Sequence, residues 1–115
     1  MKFVTKLVGV SFSNETVDGK ESRQDIIRRI NLKELAFNRG IDIVHEKDNK
    51  FDSNARAVYY QGKQLGYLGA AMLKQIIKRT GNSDFEATGE INTIIGDRAN
   101  KDMSLGVEVT INILE

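Results

Sequence analysis

The sequence predicts a single α+β domain dominated by β-structure, a small antiparallel barrel of about six strands with two short helices. Stretches of two-residue apolar alternation recur along the chain, most cleanly at Val107, Val109, Ile111 and Ile113, and each such stretch describes a strand with one buried and one wet face. Only two stretches carry the three-to-four-residue spacing of an amphipathic helix. A chain of 115 residues has room for one core, so one domain is expected over 1–115. That many short strands in so small a domain must hide their edges, which favours a closed or nearly closed sheet under helical lids.

Residues 3–12 read as the first strand, rich in β-branched and aromatic side chains and ended by the polar run Ser13-Asn14-Glu15, with a turn at Asp18-Gly19. Ser22 is placed as an N-cap three residues before Asp25, and Ile26, Ile27 and Ile30 form the stripe of a short helix over 22–30. Arg23, Arg28 and Arg29 fall on its other face. Residues 31–39 fit either a second helical piece or a buried connection, and Gly40 ends them. A strand begins at Ile41 and Ile43, and another runs over 55–60. Gln61-Gly62-Lys63 then turns a hairpin into a strand over 64–68. Ala70, Leu73, Ile76, Ile77 and Thr80 trace one face of the second helix, with Gly81 just past its end. Two alternating strands over 85–91 and 107–113 close the chain, joined through a polar turn at 97–102 that is expected to be mobile.

Composition narrows the function classes. There is no cysteine, which excludes disulfides, thiolate catalysis and thiolate metal sites and fits a reducing, cytoplasmic setting. No apolar run approaches membrane-spanning length, so no membrane partner is expected. The net charge is +1, too small to coat nucleic acid by charge alone, but it is unevenly spread. Residues 53–83 hold five bases and no acid, namely Arg56, Lys63, Lys74, Lys78 and Arg79, a strip that either faces phosphate or forms a solvated helix face.

Enzyme readings find no constellation to rest on. His45 is the only histidine and stands in register with Ile41 and Ile43, so a structural role is expected for it. Residues 48–59 resemble a calcium loop superficially, but Lys50, Ser53 and Tyr59 occupy the positions that need a ligand, a glycine and a bidentate glutamate. Gly62, Gly66 and Gly69 match neither a P-loop nor a dinucleotide fingerprint, and no cofactor is expected. The chemistry concentrates instead in residues 46–55. There Asp48, Asn49, Asp52 and Asn54 suit a loop braced by side-chain bonds to its own backbone, around one aromatic, Phe51. An exposed ring beside a carboxylate offers a stacking face and a hydrogen-bond acceptor. The alternative is that Phe12 and Phe51 are core rings, with Asp52 and Asn54 as loop caps.

Leu7-Val8-Gly9-Val10-Ser11-Phe12, Arg23-Gln24 with Ile27, residues 49–55 with Val58, and Gly66-Tyr67-Leu68 together resemble the HIRAN domain, in family order and over about three quarters of the chain. Such domains occur at the front of SWI2/SNF2 translocases and as small stand-alone bacterial or phage proteins, and this chain resembles the latter. The resemblance implies an OB-like barrel that accepts the 3′ end of single-stranded DNA, in DNA repair or replication-fork processing, with a separate helicase or translocase as a possible partner. It also implies that Phe12 and Phe51 are aromatic walls, that Asp52 accepts a bond from the terminal 3′ hydroxyl, and that Asn49 braces the loop or contacts a base. Tyr67 stands where the family's DNA-binding members carry histidine, Ser11 where they carry arginine, Lys50 where proline is usual, and Gly69 and Ala70 where lysines approach the backbone. Lys74, Lys78 or the arginines of the first helix are the cations that would compensate. A protein-interaction or regulatory module on the same fold is the competing reading.

Overall fold

A computed structural model describes residues 1–114. Its main sheet has six antiparallel strands in the order β1-β8-β7-β4-β5-β6, with β1 at Lys2–Lys6, β4 at Gly40–His45, β5 at Arg56–Tyr60, β6 at Lys63–Tyr67, β7 at Glu86–Ile95 and β8 at Gly106–Leu114. The alternating residues behave as their period requires. Val107, Val109, Ile111 and Ile113 all point into the core, and their partners across the ladder do the same, Phe3 facing Ile111 and Ile91 facing Val109. The β5–β6 hairpin turns on Gln61 and Gly62 at φ 50° and 81°, the paired left-handed conformation that lets a two-residue loop follow the strand twist.

Two of the three helices lie where periodicity puts them. α1 (Arg23–Arg28) is capped by Ser22, whose hydroxyl accepts from the Asp25 amide at 3.2 Å, and it buries Ile26 and Ile27. α3 (Ala70–Thr80) buries Leu73 and Ile76 and ends on Gly81, which takes φ 67° and donates to the Ile77 carbonyl at 2.8 Å. The ambiguous stretch after α1 proves helical: α2 (Leu32–Phe37) starts on Asn31, whose side-chain oxygen accepts from the amides of Lys33 and Glu34.

The sheet does not close into a full barrel. The segment just past edge strand β1 meets the other edge, β6, at one point, where Val8 and Tyr67 exchange both backbone hydrogen bonds at 2.9 Å. Gly66 makes that approach possible, because a β-carbon there would stand 2.5 Å from the Val8 carbonyl oxygen.

Four expectations change. The strand expected over 3–12 ends at Lys6, since Gly9 takes φ 70° and turns the chain. The polar run after it is itself a strand, β2 (Ser13–Thr16), which pairs with β3 (Gly19–Ser22) in a separate hairpin about the foreseen Asp18-Gly19 turn. The 97–102 turn is tied to α1, with Arg28 donating to the Arg98 and Met103 carbonyls and Arg98 donating to those of Arg28 and Ile30. The basic strip does not persist as a strip: Arg56 is 4% exposed against the Phe85 ring, Lys63 pairs with Glu21, and Arg79 lies over the Phe3 ring.

Tyr60 supplies a pH-dependent term in stability. Its buried hydroxyl donates to the Asn38 carbonyl at 2.7 Å, and burial, aided by the Glu34 carboxylate, raises its pKa. The folded state therefore holds this proton more tightly than the unfolded chain does. Its contribution is intact below about pH 10, the unfolded value, and declines as pH rises through the higher folded value. Tyr60→Phe should lose about 1 kcal/mol at pH 7 with the hydrogen bond. Above pH 10 the gap to wild type should narrow by up to about 1.4 kcal/mol per pH unit, read by urea denaturation at pH 7 to 11. A constant gap would refute the assignment.

Candidate functional site

The loop between β4 and β5 is built as its Asx content requires. The Asn49 side-chain oxygen accepts from the amides of Phe51 at 2.9 Å and Asp52 at 3.1 Å, and Asp52 Oδ1 accepts from the Asn54 amide at 2.8 Å. Backbone bonds close the frame, from Asn49 N to the Glu46 carbonyl and from Ala55 N to that of Asp52, both 3.0 Å. Asp48 and Asn54 contribute no side-chain bond to it among the described residues. His45 has the structural role expected, with Nε2 donating to the Ser53 carbonyl at 2.8 Å and Nδ1 3.6 Å from Asp84.

This frame leaves Phe51 nowhere to pack, and its ring is 99% exposed. Phe12 is 66% exposed at the turn made by Gly9. Neither ring belongs to the core, and the core-ring alternative is therefore excluded. Asp52 is half-buried, and its second carboxylate oxygen has no partner among the described residues.

Contacts through Tyr67 relate the two aromatic positions. The Tyr67 hydroxyl donates to Glu46 Oε1 at 2.9 Å, and the Asn49 side-chain amide donates to that same oxygen at 3.1 Å. On the other side, a β-carbon on Gly9 would stand 3.6 Å from Phe12 Cδ2 and 3.7 Å from Tyr67 Cδ2, so both rings flank that glycine. Phe12, Tyr67, Asn49, Phe51 and Asp52 thus form one connected region. Lys74 is an exposed side chain on α3 with no hydrogen bond or ion pair among the described residues.

Two members of the region escape a sequence reading. Glu46 holds the tyrosine and the loop together, and its only sequence signal is that it continues the outward alternation of Asp42 and Val44. Arg23, which periodicity puts on the helix face opposite the isoleucine stripe, is 7% exposed. Its Nε donates to Asn14 and its Nη1 to the Gly9 carbonyl, both at 2.8 Å, while its guanidinium lies 5.5 Å from the Tyr67 ring centre. Gln24 beside it is also structural, clasping the Leu105 backbone through both amide atoms and the Val10 carbonyl through its nitrogen.

The region holds stacking faces and hydrogen-bond acceptors. Among the described residues, no group of three or more His, Asp or Glu is placed to hold a metal ion, and no helix is long and apolar enough to cross a membrane.

No protein-family model matches the sequence, and no curated protein matches it. Solved structures do. The crystal structure of the HIRAN domain of human HLTF is 15% identical, superposes with a TM-score of 0.54, and is matched over 97% of this chain and 74% of that one. A structural-genomics protein from Lactobacillus plantarum is 16% identical with a TM-score of 0.50, over 96% of this chain and 97% of its own. Identity at this level speaks to architecture, and by architecture the chain carries the fold of the HIRAN domain.

Proposed function

We propose that this protein is a nucleic-acid-binding module that takes the 3′ end of single-stranded DNA on the surface formed by Phe12, Tyr67 and the 46–55 loop. Its setting would be DNA repair or fork processing beside a separate helicase or translocase. The observation that carries the reading is the exposure of Phe12 and Phe51 on either side of Tyr67, which is hydrogen-bonded through Glu46 to the Phe51 loop and flanks Gly9 together with Phe12. Folding gains nothing from leaving two large rings in water, whereas base stacking on them contributes about 1–3 kcal/mol per base. Asp52, with one oxygen spent on the loop and one free, suits a terminal hydroxyl. The net charge of +1 is compatible, because stacking and one charged hydrogen bond need few phosphate contacts.

Phe12→Ala and Phe51→Ala are each expected to weaken binding of a short 3′-hydroxyl oligonucleotide by about 1 to 2 kcal/mol in fluorescence anisotropy. Their melting temperatures should stay close to wild type, since neither ring is packed. Undiminished affinity in both variants would end this assignment of the rings.

The protein-interaction reading has its own supporting observation. Phe37, at the end of α2, is 92% exposed, with Leu32 on the same helix 54% exposed. If no oligonucleotide binds, that helix becomes the surface to test by Phe37→Ser in a pull-down.

A further inference from the structure

We propose a second nucleobase subsite in the groove between the β2–β3 hairpin and strands β5 and β6, with Tyr59 as its aromatic floor and a preference for bases that carry an exocyclic amino group. The inference rests on the nucleic-acid reading above and extends it inward from the strand end.

Three observations meet there. The groove is a cavity of about 380 Å³ lined by Ser13, Asn14, Glu15, Arg23, Tyr59 and Gln64, among others, a volume within the range of small-ligand sites. It is continuous with the region around Tyr67, since Arg23 lines it and also lies over the Tyr67 ring. Tyr59 faces it for a topological reason. Val58 and Tyr60 point to the core, so Ala57 and Tyr59 must share the opposite face, where Ala57 pairs with Tyr67. The extra residue between Val58 and Tyr59 in the ladder lies in β6, so the alternation of β5 is unbroken. Tyr59 is half-buried, and its hydroxyl has no partner among the described residues.

The polar groups select the ligand. The cations of the groove are engaged: Lys63 is 2.9 Å from Glu21 Oε2, and Arg23 donates through Nε to Asn14 and through Nη1 to the Gly9 carbonyl. Asn14 is satisfied as well, its amide donating to the Gln64 carbonyl at 2.8 Å. Left over are acceptors, the Glu15 carboxylate, the Gln64 side-chain oxygen and the Ser13 hydroxyl, none with a partner among the described residues. The two cations of the groove are matched by the Glu15 and Glu21 carboxylates, so it holds no net positive charge to draw phosphate. It suits the flat face of a base on Tyr59 with an amino group of cytosine, adenine or guanine donated to the free acceptors, which thymine lacks.

The test walks a single abasic position inward from the 3′ end of a short oligonucleotide, and then compares dC with dT at the most sensitive interior site. In wild type, one position beyond the last two nucleotides should lose at least threefold in affinity when abasic and should favour dC over dT by about threefold. Tyr59→Leu should remove both effects while keeping the difference between 3′ hydroxyl and 3′ phosphate ends. Glu15→Ala, on the exposed hairpin and safe for folding, should remove the dC preference alone. A flat interior scan, or effects unchanged in both variants, overturns the subsite while end discrimination stands. Absence of binding to every oligonucleotide overturns the nucleic-acid reading, and this subsite with it.

Discussion

Replacing the 3′ hydroxyl of a bound oligonucleotide by a 3′ phosphate is expected to lower affinity at least tenfold, and Asp52→Asn is expected to abolish most of that discrimination. Asp52 is half-buried, with Oδ1 already accepting from the Asn54 amide, so the hydroxyl would meet the second oxygen. A hydrogen bond to a charged group contributes about 1.5 to 3 kcal/mol, and a phosphate would set negative charge against it. Asparagine keeps an oxygen for the Asn54 amide and loses the charge, so it separates recognition from loop folding, which alanine would not. A 5′ phosphate should be tolerated. The salt dependence should report only about two or three phosphates, because Arg23 and Arg56 are buried and Lys63 is paired. Anisotropy with matched 3′-hydroxyl, 3′-phosphate and circular oligonucleotides decides it, and equal affinity for the three would rule out end recognition.

Gly66→Ala should be the most destabilising small substitution in the molecule, costing about 2 to 3 kcal/mol and lowering the melting temperature by roughly 10 °C. The reason is steric. The new methyl would lie 2.5 Å from the Val8 carbonyl oxygen, a backbone atom that cannot swing away, and 3.3 Å from the Val10 side chain. Relief requires breaking the Val8–Tyr67 bridge, the one point where the edges of the sheet meet. Because Tyr67 also holds Glu46 and through it Asn49, affinity for strand ends should fall with stability. Gly62→Ala is the control, since at φ 81° it has strain but open space around it. An unchanged melting temperature for Gly66→Ala would mean that the bridge does not hold the edges together.

The parts of the fold legible in the sequence are those governed by near neighbours. Ser22 caps α1, Gly81 ends α3, the Gln61-Gly62 turn sets the β5–β6 hairpin, and Asn49 and Asp52 brace their own loop, all within a few residues of the group they satisfy. Local periodicity also misled, because it records only which side chains are polar. Arg23 sits on the polar face of α1, yet it is buried because Asn14 and the Gly9 carbonyl arrive from the hairpin and the turn to satisfy it. Arg56 is covered in the same way by Phe85, with burial pulling its pKa down and Asp84 opposing that shift, so a cation counted for the surface belongs to the interior.

The sequence by itself determined the β-dominated class, the helices α1 and α3, the braced loop and the candidacy of Phe51 and Asp52, because spacing and turn chemistry act locally, while Phe12 became a candidate only through the family resemblance. Only the tertiary structure decided that both phenylalanines are exposed, that Glu46 ties Tyr67 to Asn49, and that the sheet stays open but for one bridge. Those outcomes depend on which distant segment arrives to bury a ring or satisfy a polar atom, and a one-dimensional pattern does not encode that meeting directly.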